Sequence, residues 1–219
     1  MKQQQNLTGK QPDKPEIRSD KARKRRQNLP EAVVADVREA AKVLRRGGVI
    51  LYPTDTVWGI GCDATNAEAV ARVFALQHRP DHKAMIVLVA DADEAAAYVE
   101  DMPEVAFQLI KYAEKPLTIV YDKGVGLAPD LLGPEGSIGI RVTRELFSNA
   151  LCRELGRPLV STSANISGEP AAATFPEIFA EILDGVDYVV NYRRDDLSKS
   201  APSTVMRLSG SGEFKILRP

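Results

Sequence analysis

Gly48-Val-Ile-Leu-Tyr-Pro-Thr-Asp-Thr-Val-Trp-Gly-Ile-Gly61 is the stretch on which the fold turns. Its first half is a run of apolar, β-favouring residues and reads as a buried strand. Pro53 has no N–H to give a sheet ladder, so the strand ends there. The polar residues Thr54, Asp55 and Thr56 follow at once, then Trp58 and the glycines Gly59 and Gly61. Hydroxyls and a carboxylate at the mouth of a buried strand, beside backbone made flexible by glycine, suit a small-molecule site in an open α/β sheet. The same residues also suit a plain strand end with a polar turn.

Working outward, Pro30 to Arg46 reads as a helix, with Val33, Val37, Ala40, Ala41 and Leu44 at helical spacing. Pro30 suits its first position and Gly47 its C-terminal cap. Beyond the polar loop, Asn66 caps a second helix with Val70, Val73, Phe74 and Ala75 inward, and Pro80 stops it. Met85–Val89 is a solid apolar run and reads as a central strand. Residues 92–100, 103–113, 145–155 and 175–183 read as helices. Residues 117–121, 138–142, 158–162, 186–190, 203–208 and 213–217 read as strands. Segment 191–202 is polar and reads as a mobile loop placed to act as a lid. Strands alternating with helices give an α/β or α+β class with a mixed sheet.

The chain has 219 residues, enough for one domain with a sizeable core, and 44 % hydrophobic and 27 % charged content, ordinary for a soluble protein. No apolar run long enough to cross a membrane and no apolar N-terminal signal are seen, so a cytoplasmic location is expected. The two cysteines, Cys62 and Cys152, form neither a metal-ligand spacing nor a disulfide framework. The net charge of -1 conceals an asymmetry: residues 1–29 carry +6 and the rest -7. The division is therefore a basic tail over 1–29, expected to be disordered, and a domain over 30–219. The run Lys21-Ala-Arg-Lys-Arg-Arg26 is suited to RNA phosphates, or simply to water.

The standard phosphate-binding glycine loops are missing, as are a zinc-type His/Cys cluster and a Ser-His-Asp set. Chemistry must then rest on polar residues at strand ends. Thr54, Asp55 and Thr56 follow the first strand, and Arg79 and Lys83 bracket the turn before the second. Thr118 opens the third strand and Arg141 lies inside the fourth, where an unpaired buried charge is costly. Ser161, Thr162, Ser163, Asn165 and Ser167 follow the fifth, Ser203 and Thr204 open a later one, and Arg218 lies near the end. Cations among hydroxyls and an amide suit an anionic ligand bearing phosphate and carboxylate groups.

These residues stand in six motifs: Tyr52-Pro-Thr-Asp-Thr-Val-Trp-Gly59, Arg79-Pro-Asp-His-Lys83, Lys115-Pro-Leu-Thr118, Ile138-Gly-Ile-Arg-Val142, Ser161-Thr-Ser-Ala-Asn-Ile-Ser-Gly168 and Pro202-Ser-Thr-Val205. Together they resemble the YrdC-like family of L-threonylcarbamoyladenylate synthases, over residues 30–219. The resemblance implies one domain: a twisted mixed parallel/antiparallel sheet flanked by helices, with a large positively lined cavity. It implies condensation of L-threonine, bicarbonate and ATP to threonylcarbamoyl-AMP and pyrophosphate. Partner transferases would then modify adenosine 37 of tRNA, with a weak tRNA contact by the basic tail. Carried over by position, Thr56, Arg141, Ser163 and Ser203 hold threonine. Arg79, Lys83, Thr118, Ser137, Asn165 and Arg218 hold ATP, and Arg79, Lys83, Ser163 and Asn165 form the candidate catalytic set. No protein metal site is implied; Mg²⁺ would arrive with ATP. Two positions depart from the family pattern: Gln77 stands where it usually has Lys, and Leu88 where it often has His. A nucleotide-binding paralogue with another activity and a non-catalytic RNA-binding module are the alternative readings.

Overall fold

Alternating side chains on adjacent strands set the architecture, because successive residues of a strand face opposite sides of its sheet. The computed structural model describes residues 29–79 and 85–219, and Glu31–Pro219 make one compact unit. The strands are β1 (Ile50–Tyr52), β2 (Gly59–Gly61), β3 (Ile86–Val89), β4 (Leu117–Tyr121), β5 (Ile138–Val142), β6 (Leu159–Ser163), β7 (Tyr188–Val189), β8 (Thr204–Leu208) and β9 (Phe214–Arg218). They form one sheet in the order β7-β1-β2-β6-β3-β5-β4-β8-β9. β1/β7, β3/β5 and β4/β8 are parallel pairs and the others antiparallel, so the sheet is mixed. The helices are α1 (Glu31–Arg45), α2 (Ala67–Leu76), α3 (Ala92–Ala96), α4 (Glu104–Tyr112), α5 (Leu146–Leu155) and α6 (Ala180–Gly185).

One sheet face is dry. Val87 and Val89 of β3, Ile119 and Tyr121 of β4, Ile138 and Ile140 of β5, and Met206 and Leu208 of β8 join Val70, Val73 and Phe74 of α2 in one buried cluster. Residues of the opposite parity, including Thr118, Arg141 and Val205, face the other way. There α1 packs on α5 and α5 on β3. Asn66 Oδ1 caps α2 by accepting from the Ala69 N–H at 3.1 Å. The Glu145 carboxylate caps α5 by accepting from Phe147 and Ser148, and Gly156 closes it at φ 69°.

Several expectations change. Gly59 and Gly61 are not loose loop residues but lie in β2, paired with β1. A Cβ on Gly61 would sit 2.6 Å from the Val160 carbonyl oxygen and 2.7 Å from the Tyr52 ring, so close packing explains the glycine. Trp58 is buried against Phe175, with ring centroids 4.9 Å apart, and belongs to the core rather than to a ligand site. In α2 Ala69 turns inward and Ala75 is exposed, because the buried stripe falls one position earlier. Residues 175–183 divide into a 3₁₀ turn (Phe175–Glu177) and the start of α6.

The first residues of the segment read as a mobile loop, 191–194 of 191–202, are anchored. Asp36, buried on α1, accepts from the Asn191 and Tyr192 N–H groups and from the Tyr188 hydroxyl. Arg193 donates to the Thr54 carbonyl. Asp36→Ala strands these donors and is expected to lower unfolding free energy by about 3 kcal/mol, read from denaturant titrations. The expected tail over 1–29, except Leu29, and Lys83 lie outside the described residues.

Candidate active site

The polar face of the sheet carries a cavity of about 550 Å³. Backbone register builds its floor. Gly59 pairs with Ser163, Ser161 with Ile86, Arg141 with Thr118, Thr118 with Val205, and Val205 with Arg218. Residues from β2, β6, β3, β5, β4, β8 and β9 thus meet on one side, and all of those named line the cavity. Thr54, Thr56, Gln77, Arg79, Asn165 and Ser203 complete much of its wall. Of the candidate residues, Thr56, Arg79, Thr118, Arg141, Ser163, Asn165, Ser203 and Arg218 are brought together. Ser137 is not among the lining residues. It ends a 3₁₀ turn ahead of β5, its N–H bonded to the Pro134 carbonyl. Leu88 is fully buried next to Arg141 in the β3/β5 register.

Thr54 shapes the loop after β1. Its hydroxyl donates to the Val57 carbonyl at 2.7 Å and accepts from the Thr56 N–H at 3.0 Å. This presents Thr56 and Asp55 to Arg141. Arg141 Nη2 lies 3.0 Å from Asp55 Oδ1, with side-chain exposures of 4 % and 13 %, and donates to Thr56 Oγ1 at 3.4 Å. The ion pair is close but lies outside hydrogen-bond geometry, so Asp55 Oδ1 lacks a hydrogen bond; Arg141 Nε lacks one as well. Burial pushes the Asp55 carboxyl above its usual range, and the Arg141 guanidinium opposes that shift.

Next to Arg141 on the adjacent strand, Thr118 Oγ1 and Ser203 Oγ are 2.9 Å apart. Arg218 donates to the Ser203 carbonyl through Nε and Nη2, at 3.1 and 2.9 Å. Arg79 donates from Nη1 to Thr162 Oγ1 at 2.9 Å, and burial lowers its pKa. Gln77 stitches the loop after β6: its Nε2 donates to the Ser163 and Asn165 carbonyls at 2.7 and 2.8 Å. Gln77 Oε1 and Asn165 Oδ1 are buried without a partner. Of the four such orphans among the described residues, three, on Gln77, Arg141 and Asn165, belong to residues that line the cavity, which marks it as built for a polar ligand.

Sequence reading missed two roles. Asp55 is Arg141's counter-ion, and Gln77 is a structural clamp. Their partners lie 86 and more residues away in the chain, and neither contact leaves a local signal.

A family model described as "Telomere recombination" and named for Sua5, YciO and YrdC matches residues 42–219. The chain belongs to the Sua5/YciO/YrdC family. A relative within reach of that family is the threonylcarbamoyl-AMP synthase of Idiomarina loihiensis, 37 % identical over 161 residues, covering 72 % of this chain and 87 % of that protein. Among solved structures, P. abyssi Sua5 complexed with L-threonine matches with a TM-score of 0.74 at 26 % identity, over 84 % of this chain and 53 % of that one. This chain thus spans about half the length of that Sua5. E. coli YciO matches with a TM-score of 0.73 at 27 % identity, over 87 % of this chain and 90 % of that one. Among the described residues of this Sua5/YciO/YrdC chain, no helix is long and apolar enough to cross a membrane.

Proposed function

We propose that the chain is a threonylcarbamoyl-AMP synthase, a nucleotidyltransferase acting in the cytoplasm on L-threonine, bicarbonate and ATP in the service of tRNA modification. The observation that carries this reading is the buried Arg141 guanidinium on the cavity floor, with a free Nε and the Thr56 hydroxyl beside it. That arrangement suits one small carboxylate held by charge-assisted hydrogen bonds. Ser163 and Ser203 would complete the threonine seat. Arg79, Asn165, Thr118 and Arg218, with Lys83, would face the nucleotide.

The chemistry needs no protein nucleophile. The threonine amine attacks the carbon of bicarbonate or CO₂; as the N–C bond forms the nitrogen loses a proton, and with bicarbonate a C–O bond breaks so that water leaves, giving a carbamate. A carbamate oxygen attacks the α-phosphorus of ATP, and the P–O bond to the β-phosphate breaks, releasing pyrophosphate. The protein's part is to align the two reactants and to set cationic donors around the phosphates. No group of three His, Cys, Asp or Glu able to hold a metal exists among the described residues. The lining donors fit a polyphosphate rather than a protein-held ion, so Mg²⁺ would travel with ATP and neutralise phosphate charge.

Gln77 favours one second reading, a nucleotide-binding paralogue with another activity, since a neutral amide stands where the family pattern has a cation. Pyrophosphate release from ATP by the purified full chain separates the two. The synthase reading expects release that requires both threonine and bicarbonate. Release that ignores threonine overturns it.

A further inference from the structure

Asp55 does not line the cavity that Arg141 lines. It lines a separate pocket of about 110 Å³ with Leu117, Val142 and Arg144. The carboxylate therefore meets Arg141 from outside the cavity that Arg141 lines. Arg141 is 3 % exposed and sits in an apolar strand between Ile140 and Val142. A long side chain there has no aliphatic reason to hold one rotamer at the cavity floor. Asp55 supplies one: its Oδ1 attracts Nη2 as an ion pair at 3.0 Å, Thr56 Oγ1 accepts from the same nitrogen, and Nε is left without a partner. The loop that carries Asp55 is itself locked by Thr54 and by Arg193, which donates to the Thr54 carbonyl at 3.2 Å.

We propose that Asp55 is a positioning residue, the counter-ion outside the cavity that aims the Arg141 guanidinium at the carboxylate of the amino-acid substrate. It rests on the reading of Arg141 as a carboxylate seat. Asp55 touches no substrate in this scheme. It acts through Arg141, by holding one edge of the fork so that the other is presented in a fixed direction. It also neutralises a buried charge before the substrate arrives, so that binding exchanges no large desolvation cost for the cation.

The test compares L-threonine with L-threoninamide, which lacks the carboxylate, by calorimetric binding to the full chain and by pyrophosphate release. Wild type is expected to prefer threonine by about 100-fold, the worth of a charge-assisted pair in a dry site. Asp55→Asn, which keeps the shape and removes the charge, is expected to cut that preference to about fivefold. It should raise KM for threonine about 20-fold while kcat and KM for ATP stay within about threefold. Asp55→Glu keeps the charge but moves it, and is expected to retain a preference of about 20-fold. It is the deciding variant where Asp55→Asn does not fold. Full preference in Asp55→Asn, or in Asp55→Glu when that is the deciding variant, overturns the role of Asp55 alone. So does a melting temperature that falls while preference is intact. Equal binding of threonine and threoninamide by wild type overturns the Arg141 reading itself, and this inference with it.

Discussion

Arg141→Gln is expected to lower kcat/KM for threonine in pyrophosphate release by about 10³-fold, with KM for ATP changed by about threefold or less. The asymmetry follows from position. Arg141 stands in the centre of the floor, beside Thr56 and across from Thr118, whereas Arg79 and Arg218 stand on other walls with partners of their own. A glutamine offers two donors in place of five and no charge. It gives up the charge-assisted part of the carboxylate contact. Arg141→Lys is expected to recover less than about tenfold of the loss, because an ammonium cannot span a carboxylate with two parallel bonds while also meeting Asp55. Stability should move less than activity in Arg141→Gln. Without its counter-ion the Asp55 carboxyl, already raised by burial, takes a proton and then donates a hydrogen bond. Steady-state kinetics and thermal melting on the same preparations check both statements. Equal losses for threonine and ATP would mean that the guanidinium holds the cavity open rather than binding one substrate.

Legibility in the sequence followed range along the chain. Helix α1 could be read because Val33, Val37, Ala40, Ala41 and Leu44 carry its period within one element, and all five are buried. The cap at Asn66 and the stop at Gly156 depend on neighbours a few residues away, and both stand as expected. The central place of β3 could be read from an unbroken apolar run, since a strand covered on both faces cannot alternate. The second strand, Gly59–Gly61, escaped because two glycines in three residues read as punctuation. Its cause is the Tyr52 ring and the Val160 carbonyl, the latter about a hundred residues on. The anchoring of 191–194 escaped for the same reason: polarity marks a segment as hydrated, while the partner that fixes it, Asp36, lies on the first helix. At the site, residue identities could be read from motifs, but the Asp55–Arg141 pair and the clamp by Gln77 could not.

Gln77→Leu is the second large effect expected. Its side-chain amide nitrogen spends both N–H groups on the Ser163 and Asn165 carbonyls, and its backbone carbonyl accepts from the Ser167 N–H at 2.8 Å. The side chain is 2 % exposed. Leucine keeps the volume but leaves the Asn165 carbonyl without its donor, while the Ser163 carbonyl keeps only the Asn165 N–H, a cost of about 2 kcal/mol in unfolding free energy. The loop bearing Ser163 and Asn165 then keeps, as its tie to residue 77, only the backbone bond from Ser167, and turnover is expected to fall about 100-fold, since a displacement of about 1 Å is enough to misalign a site. Gln77→Lys behaves differently. An ammonium has three donors, so it can satisfy both carbonyls and direct the third into the cavity. Its stability should stay within about 1 kcal/mol of wild type. Its added charge should lower KM for ATP and steepen the salt dependence of binding. The glutamine is then a neutral solution to a structural requirement, in which the architecture of the loop is kept and one phosphate contact is given up. A Gln77→Lys protein that melts far below wild type would refute this, because it would show that the two carbonyls need the planar amide and that no lysine could have occupied this fold.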